Sequence, residues 1–179
     1  INRDIKNYEE ICGGLPCKVV TFGHSAESDY SAAEITYDAF ARPAFTVMEQ
    51  GKKAGTITLG VPGEHNVYNA LAAVCVARRL GLDAEEMKLG IEHAHTIGGR
   101  SNLIRKNGIT IIDDCYNANP VSMMASIDVL SQAKGRKIAV LGDMGELGSE
   151  EKKLHGMVGT HFAGKKIDAL FVTGTLAGE

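Results

Sequence analysis

The segment Ile111-Ile112-Asp113-Asp114-Cys115-Tyr116-Asn117-Ala118-Asn119-Pro120 concentrates more potential chemistry than any other in the chain. Two carboxylates stand at the carboxyl end of an apolar run, and an Asn-Pro pair opens the stretch that follows. In open α/β sheets, ligands gather at that edge. Asn119 suits a helix N-cap and Pro120 the first helical position, which leaves first-turn amides facing outward as donors to an anion or a carbonyl. An aspartate held there is placed to accept hydrogen bonds from a ribose diol. The plainer reading is that Asp113, Asp114 and Asn117 only end the strand and cap the helix.

A second cluster lies in Gly60-Val61-Pro62-Gly63-Glu64-His65-Asn66-Val67-Tyr68-Asn69. Asn66 and Asn69 are three residues apart and share a helix face. An asparagine amide sets a donor beside an acceptor, as reading an adenine edge requires; capping by polar residues is the alternative. A third segment, Leu141-Gly142-Asp143-Met144-Gly145-Glu146-Leu147-Gly148, is a glycine-rich turn without the GxGxxG or GxxxxGK[ST] spacing of a phosphate loop. Asp143 and Glu146 are expected to be solvated turn residues, the alternative being that they line a cleft. His93 and His95 are too close on a helix end to share a face, and His155 and His161 sit six apart, so these histidines are expected at the surface or in caps, with no metal pair.

The elements that must position these residues fall into two halves. After a short helix at 7-12 and a strand at 18-23, residues 31-37, 44-49 and 53-59 alternate as antiparallel strands separated by Arg42-Pro43 and Gln50-Gly51. From Glu64 to Leu80 apolar residues recur at three and four, an amphipathic helix ended by Gly81. Asp83 to His93 reads as a second helix, with Asp83 and Glu86 spaced as a capping box. The run Ile97-Gly98-Gly99-Arg100 marks a domain boundary. Beyond it, strands at 101-105 and 109-113 flank an Asn107-Gly108 turn. Helices at 120-133 and 149-163 then alternate with strands at 137-141 and 169-173, the pattern of a doubly wound parallel sheet. The last strand is expected to leave an edge that either pairs with another chain, by edge-strand self-association, or is poorly ordered.

With 179 residues, 44% hydrophobic and 23% charged, the chain has the composition of a globular protein with a substantial core. A net charge of -3 and the lack of any basic run argue against nucleic acid or anionic lipid as partners. The longest apolar stretch, Ala70 to Ala77, is far below the ~20 residues that cross a bilayer, and no signal pattern opens the chain, so a cytoplasmic location without membrane insertion is expected. The four cysteines, Cys12, Cys17, Cys75 and Cys115, form no CxxC pair and read as reduced thiols, three of them in helix or strand core.

Taken together, GEHNVYNALAA, Gly99-Arg100, DDCYNANPVSM and LGDMGELG occur in the order and spacing of one family, and the chain resembles the Mur ligases over nearly its whole length, least in residues 1-55. The resemblance implies an α/β architecture. Residues 1-98 would be the C-terminal part of a central ATP-binding domain, and 99-179 the first part of a Rossmann-like C-terminal domain with a truncated parallel sheet. The forms DDCYNANP and GDMGELG resemble the branch that adds D-alanyl-D-alanine to UDP-N-acetylmuramoyl-tripeptide in bacterial peptidoglycan synthesis, using ATP and Mg2+ and passing through an acyl phosphate. Asn66 and Asn69 would contact adenine, Arg100 and Asp114 would hold ribose and phosphates, and Asn117 and Asn119 would lie near the incoming D-alanyl-D-alanine. The family's GTNGKT-type loop, its magnesium-binding glutamate and histidine and its carbamylated lysine all precede the segment matching Ile1. Lys6, Lys18 and Lys52 are no substitutes, and the chain alone is expected to be inactive. Another Mur ligase, a folylpolyglutamate synthase, whose DGAHNP-like segment would stand in place of DDCYNANP, and a non-catalytic nucleotide-binding module are the alternatives.

Overall fold

A computed structural model describes residues 1-94 and 98-178; His95 and Ile97, named above as a surface histidine and part of the boundary, lie outside the described residues. Two compact units are present. The first comprises Ile1–Asp38, Arg42–Gly60 and Glu64–His95, and the second Ala39–Ala41, Val61–Gly63 and Thr96–Glu179.

The first unit is a four-stranded sheet in the order β1-β2-β3-β4: β1 (Phe22–Gly23), β2 (Tyr30–Tyr37), β3 (Pro43–Glu49) and β4 (Lys52–Thr58). β2, β3 and β4 pair antiparallel, as their alternation predicts. The strand expected at 18-23 shrinks to two residues, paired parallel to β2. Its neighbour explains this: the amide and hydroxyl of Thr21 both donate to the Asp29 carboxylate at 2.8 Å, and the Asp29 amide donates back to the Thr21 hydroxyl. Side chains take up groups that a longer ladder would pair. These bonds, the Thr21 amide first, hold the Asp29 carboxyl below its ordinary value.

After α1 (Tyr8–Gly13), the helices α2 (His65–Arg79) and α3 (Ala84–Glu92) complete this unit. α2 buries Val67, Ala70, Leu71, Val74 and Cys75 against the sheet, whose core contribution includes Phe45, Val47 and Ile57. Gly81, with φ +91°, ends that run where an L side chain would be strained. The Asp83-Glu86 capping box forms as read from the sequence. All four cysteines are free thiols, but only Cys75 is buried; burial pushes its thiol up to about 11. Cys115 lies exposed just past a strand end rather than in a core.

In the second unit, β5 (Asn102–Lys106) and β6 (Ile109–Asp113) form a hairpin whose Asn107 and Gly108 both take positive φ, +52° and +77°. Among the described residues of this unit, parallel pairing is confined to β7 (Ile138–Leu141) and β8 (Ala169–Val172); β6, committed to β5 by its tight turn, does not join them. α4 (Pro120–Gln132) and α5 (Glu151–Ala163), the latter preceded by a 3-10 turn at Gly148–Glu150, pack together around Ile127, Met144 and Val158.

Candidate functional site

In the second unit the sequence that leads into β5 is held by the last residue of β6 and those that follow it. The Gly99 amide donates to Asp113 Oδ2 at 3.1 Å, and the Ser101 amide to Asp114 Oδ1 at 2.9 Å. The Tyr116 amide donates to the Gly99 carbonyl at 3.0 Å. Gly99 has φ +76°, and a Cβ there would stand 3.0 Å from Tyr116 Cβ, so glycine is required twice over. The Ser126 hydroxyl of α4 donates to Asp114 Oδ2, fixing the second carboxylate oxygen.

Strand alternation would turn Asp113 and Asp114 to opposite faces, yet both clamp the same turn, because β6 ends at Asp113 and alternation does not carry past it. Asp113 also accepts a hydrogen bond from the Cys115 thiol at 3.0 Å and thereby raises that thiol above its ordinary value. Asp114 keeps unused acceptor capacity, since a carboxylate offers about four lone-pair positions.

Asn119 caps α4: its Oδ1 accepts from the Ser122 amide at 2.9 Å, the Ser122 hydroxyl accepts from the Asn119 amide at 3.1 Å, and Pro120 occupies the first turn. Its side-chain NH2 is the part left for a ligand. Asn117 Oδ1 accepts from the Ala118 amide at 2.9 Å, a local turn bond.

Arg100, between the two clamped amides, has an exposed guanidinium with its Cζ 4.6 Å from the centre of the Tyr116 ring. Neither Tyr116 in this role nor Ser126 was picked out by sequence reasoning. An aromatic two residues past the Asp pair was the available signal for the first; the second had none, because it depends on how α4 packs.

In the first unit, Asn69 Nδ2 donates to Asn66 Oδ1 at 3.0 Å, so the two asparagines do share a face at the start of α2. Asn66 Nδ2 also lies 3.2 Å from His65 Nε2. Beside them a cluster appears that sequence reasoning missed. Tyr68 stacks on His24 with ring centres 4.5 Å apart and planes within 6°. Asp4 accepts from the His24 amide at 2.6 Å. Burial first, then the hydrogen bond to Asp4, pushes the Tyr68 hydroxyl up to about 12.

The glycine-rich turn at 142-148 does not behave as expected. Asp143 is no merely solvated residue: it accepts backbone N–H bonds from Thr175, Leu176 and Ala177 at 2.9, 2.9 and 2.7 Å, which hold its carboxyl below its ordinary value, the Ala177 bond foremost. Glu146 is exposed. His155, expected at the surface or in a cap, is buried, accepting the Met144 amide on Nε2 at 2.9 Å, with Nδ1 2.8 Å from the Glu151 carbonyl. His161 pairs with Asp128 at 2.8 Å, and His93 caps α3 by bonding the Leu89 carbonyl.

Residues 1–77 match the family described as Mur ligase middle domain, and residues 99–179 the family described as Mur ligase, glutamate ligase domain. The chain is 43% identical over 132 residues to a UDP-N-acetylmuramate–L-alanine ligase of Lachnospira eligens, covering 71% of this chain and 28% of that protein. It is 32% identical over 175 residues to the UDP-N-acetylmuramoyl-tripeptide–D-alanyl-D-alanine ligase of Escherichia coli, covering 97% of this chain and 38% of the relative. MurF from Acinetobacter baumannii has the same fold with a TM-score of 0.91 at 34% identity, over 99% of this chain and 38% of that one. MurF from Thermotoga maritima, solved in complex with ADP, gives a TM-score of 0.79 at 27% identity over 94% of this chain and 39% of that one. The chain thus spans less than two fifths of the length of each of these relatives. Its two domain matches, and the agreement in fold and sequence with solved members, place it in the Mur ligase family.

Proposed function

We propose that the intact protein carrying this chain is an ATP-dependent ligase that joins D-alanyl-D-alanine to UDP-N-acetylmuramoyl-tripeptide. Residues 1-98 would serve its central ATP-binding domain and 99-179 its Rossmann-like C-terminal domain. The observation that carries the reading is the fold and sequence agreement with MurF over 99% of the chain. Agreement with the E. coli D-alanyl-D-alanine ligase, over 97% of the chain, supports the same acceptor.

In this reaction ATP phosphorylates a substrate carboxylate, giving an acyl phosphate and ADP. The amine of the acceptor attacks the acyl carbon, the amide forms and phosphate leaves. Asn66 and Asn69 offer paired donors and acceptors to the adenine edge. Asp114 offers its remaining lone pairs to the ribose, and Arg100 its planar fork to phosphate. Asn117 and Asn119 stand at the amino end of α4, where an incoming carboxylate is favoured; Asn119 contributes its amide NH2, its oxygen being spent on the cap. The described residues hold no group of three His, Cys, Asp or Glu fit for Mg2+, so no step is assigned to that ion. ATP and a UDP-linked precursor are cytoplasmic compounds, and the reaction belongs in the bacterial cytoplasm; no helix among the described residues is long and apolar enough to cross a membrane.

The 43% identity to the L. eligens enzyme favours a second reading, in which L-alanine is added to UDP-N-acetylmuramate. The two are separated by supplying the intact protein with each substrate pair and following ADP release and the ligated product. Product from D-alanyl-D-alanine and the tripeptide is expected. Product from L-alanine and UDP-N-acetylmuramate alone would reverse the assignment. The 179-residue chain by itself, which contains no GxxxxGK[ST] loop, is expected to release no phosphate with either pair.

A further inference from the structure

We propose that Tyr116 is a positioning residue for Arg100, holding the guanidinium over its ring so that the N–H fork stays free for a phosphate group. The proposal rests on the reading that Arg100 meets the nucleotide. Four observations lead to it. The Arg100 Cζ lies 4.6 Å from the Tyr116 ring centre, within cation–π range. Tyr116 is 68% exposed, so the ring is not there to fill a core. Among the described residues no carboxylate pairs with Arg100, although Asp113 and Asp114 stand close in sequence and each accepts from one of the amides flanking it. The turn that presents Arg100 is fixed at both ends and by Tyr116's own amide, and a Cβ at Gly99 would stand 3.0 Å from Tyr116 Cβ, so the turn lies close against the Tyr116 backbone.

The physical logic follows from the shape of the group. A guanidinium carries its donors in one plane, and stacking covers a face without consuming any of them. A carboxylate partner would neutralise the fork, whereas a ring only restricts the rotamers of a long exposed side chain. The pair therefore keeps the charge available and lowers the ordering cost that an anion would otherwise impose.

The test uses the intact ligase with ATP as the varied substrate. Tyr116→Phe keeps the ring face and is expected to leave the KM for ATP unchanged. Tyr116→Leu removes it and is expected to raise that KM about two- to fivefold, the range of an exposed cation–π contact, with kcat and the thermal midpoint unchanged. In an Arg100→Ala background, Tyr116→Leu is expected to add nothing, since a residue acting only through Arg100 has no effect without it. If Arg100→Ala raises the KM but Tyr116→Leu does not, or if Tyr116→Leu has the same effect with and without Arg100, the positioning role is overturned while the nucleotide role of Arg100 stands. If Arg100→Ala itself leaves ATP kinetics unchanged, both fall.

Discussion

Replacing Asp114 tests the nucleotide assignment most directly, provided its scaffold duty is separated from its ligand duty. Asp114→Ala removes three things: the acceptor for the Ser101 amide at 2.9 Å, the acceptor for the Ser126 hydroxyl, and, on the proposed function, the carboxylate that would meet ribose. Asp114→Asn removes less. Its Oδ1 still accepts from Ser101, and its NH2 donates to Ser126, whose hydroxyl accepts as readily as it donates. A hydrogen bond to a charged group contributes about 1.5 to 3 kcal/mol, so Asp114→Ala should raise the KM for ATP in the intact ligase roughly 10- to 150-fold. Charged bonds are about twice as strong as neutral ones, so Asp114→Asn should raise it roughly 3- to 13-fold with the turn intact. Asp113→Asn keeps an acceptor for the Gly99 amide and is expected to leave ATP kinetics alone. Initial rates at varied ATP, with a thermal midpoint for each variant, decide the matter. Unchanged ATP kinetics for Asp114→Ala in a folded protein, with a large loss for Asp113→Asn, would place the site on the wrong carboxylate.

Two further outcomes follow from the second unit. His155→Phe keeps the ring volume but leaves the buried Met144 amide without its acceptor, which should cost about 1 to 3 kcal/mol and lower the thermal midpoint by roughly 2 to 12 °C, while His155→Gln, which retains an acceptor, should lose less; a His155→Phe variant as stable as the parent would refute this. At Asp128, burial alone would raise the carboxyl, but bonds from Lys165 at 2.6 Å and His161 at 2.8 Å outweigh it and hold the group below its ordinary value. Its folded value being depressed, the stability it contributes is fully present above the unfolded aspartate value of about 3.9 and is lost as pH falls through the folded value. Urea titrations from about pH 6 to about pH 2 should therefore show the parent losing stability relative to Asp128→Asn in that acid window; parallel profiles would sink the linkage.

Where the sequence was legible, the determinant lay within a few residues. Asn107-Gly108 fixes the β5-β6 hairpin because both positions need positive φ. Asp83 with Glu86, and Asn119 with Pro120, mark helix starts because the partners are three residues apart or adjacent. Asn66 and Asn69 meet because a helix turn puts them together. The failures share the opposite property. Asp143 is explained by amides 32 to 34 residues away, His155 by one 11 residues away, and the short β1 by the exchange between Thr21 and Asp29 across a loop. No local pattern encodes such partners, because a polar side chain reads the same whether its acceptors face water or a distant backbone.

That distinction bears on which polar residues near the Asp pair remain available to a ligand. Asp113 is occupied at both oxygens, by the Gly99 amide and the Cys115 thiol, and Asn117 and Asn119 use their oxygens on local turns and the α4 cap. Asp114 is likewise bonded once at each oxygen, so both carboxylates keep about half of their acceptor positions and lone-pair count does not separate them. Arg100 spends none of its donors on a carboxylate among the described residues and is still held in place, by its turn and by the Tyr116 ring. A group that is positioned by contacts other than those it needs for binding is pre-organised without being satisfied, and that combination lowers the cost of capturing a charged ligand. On the proposed function, Arg100 meets this criterion most fully, while Asp113 and Asp114 both hold the turn that presents it.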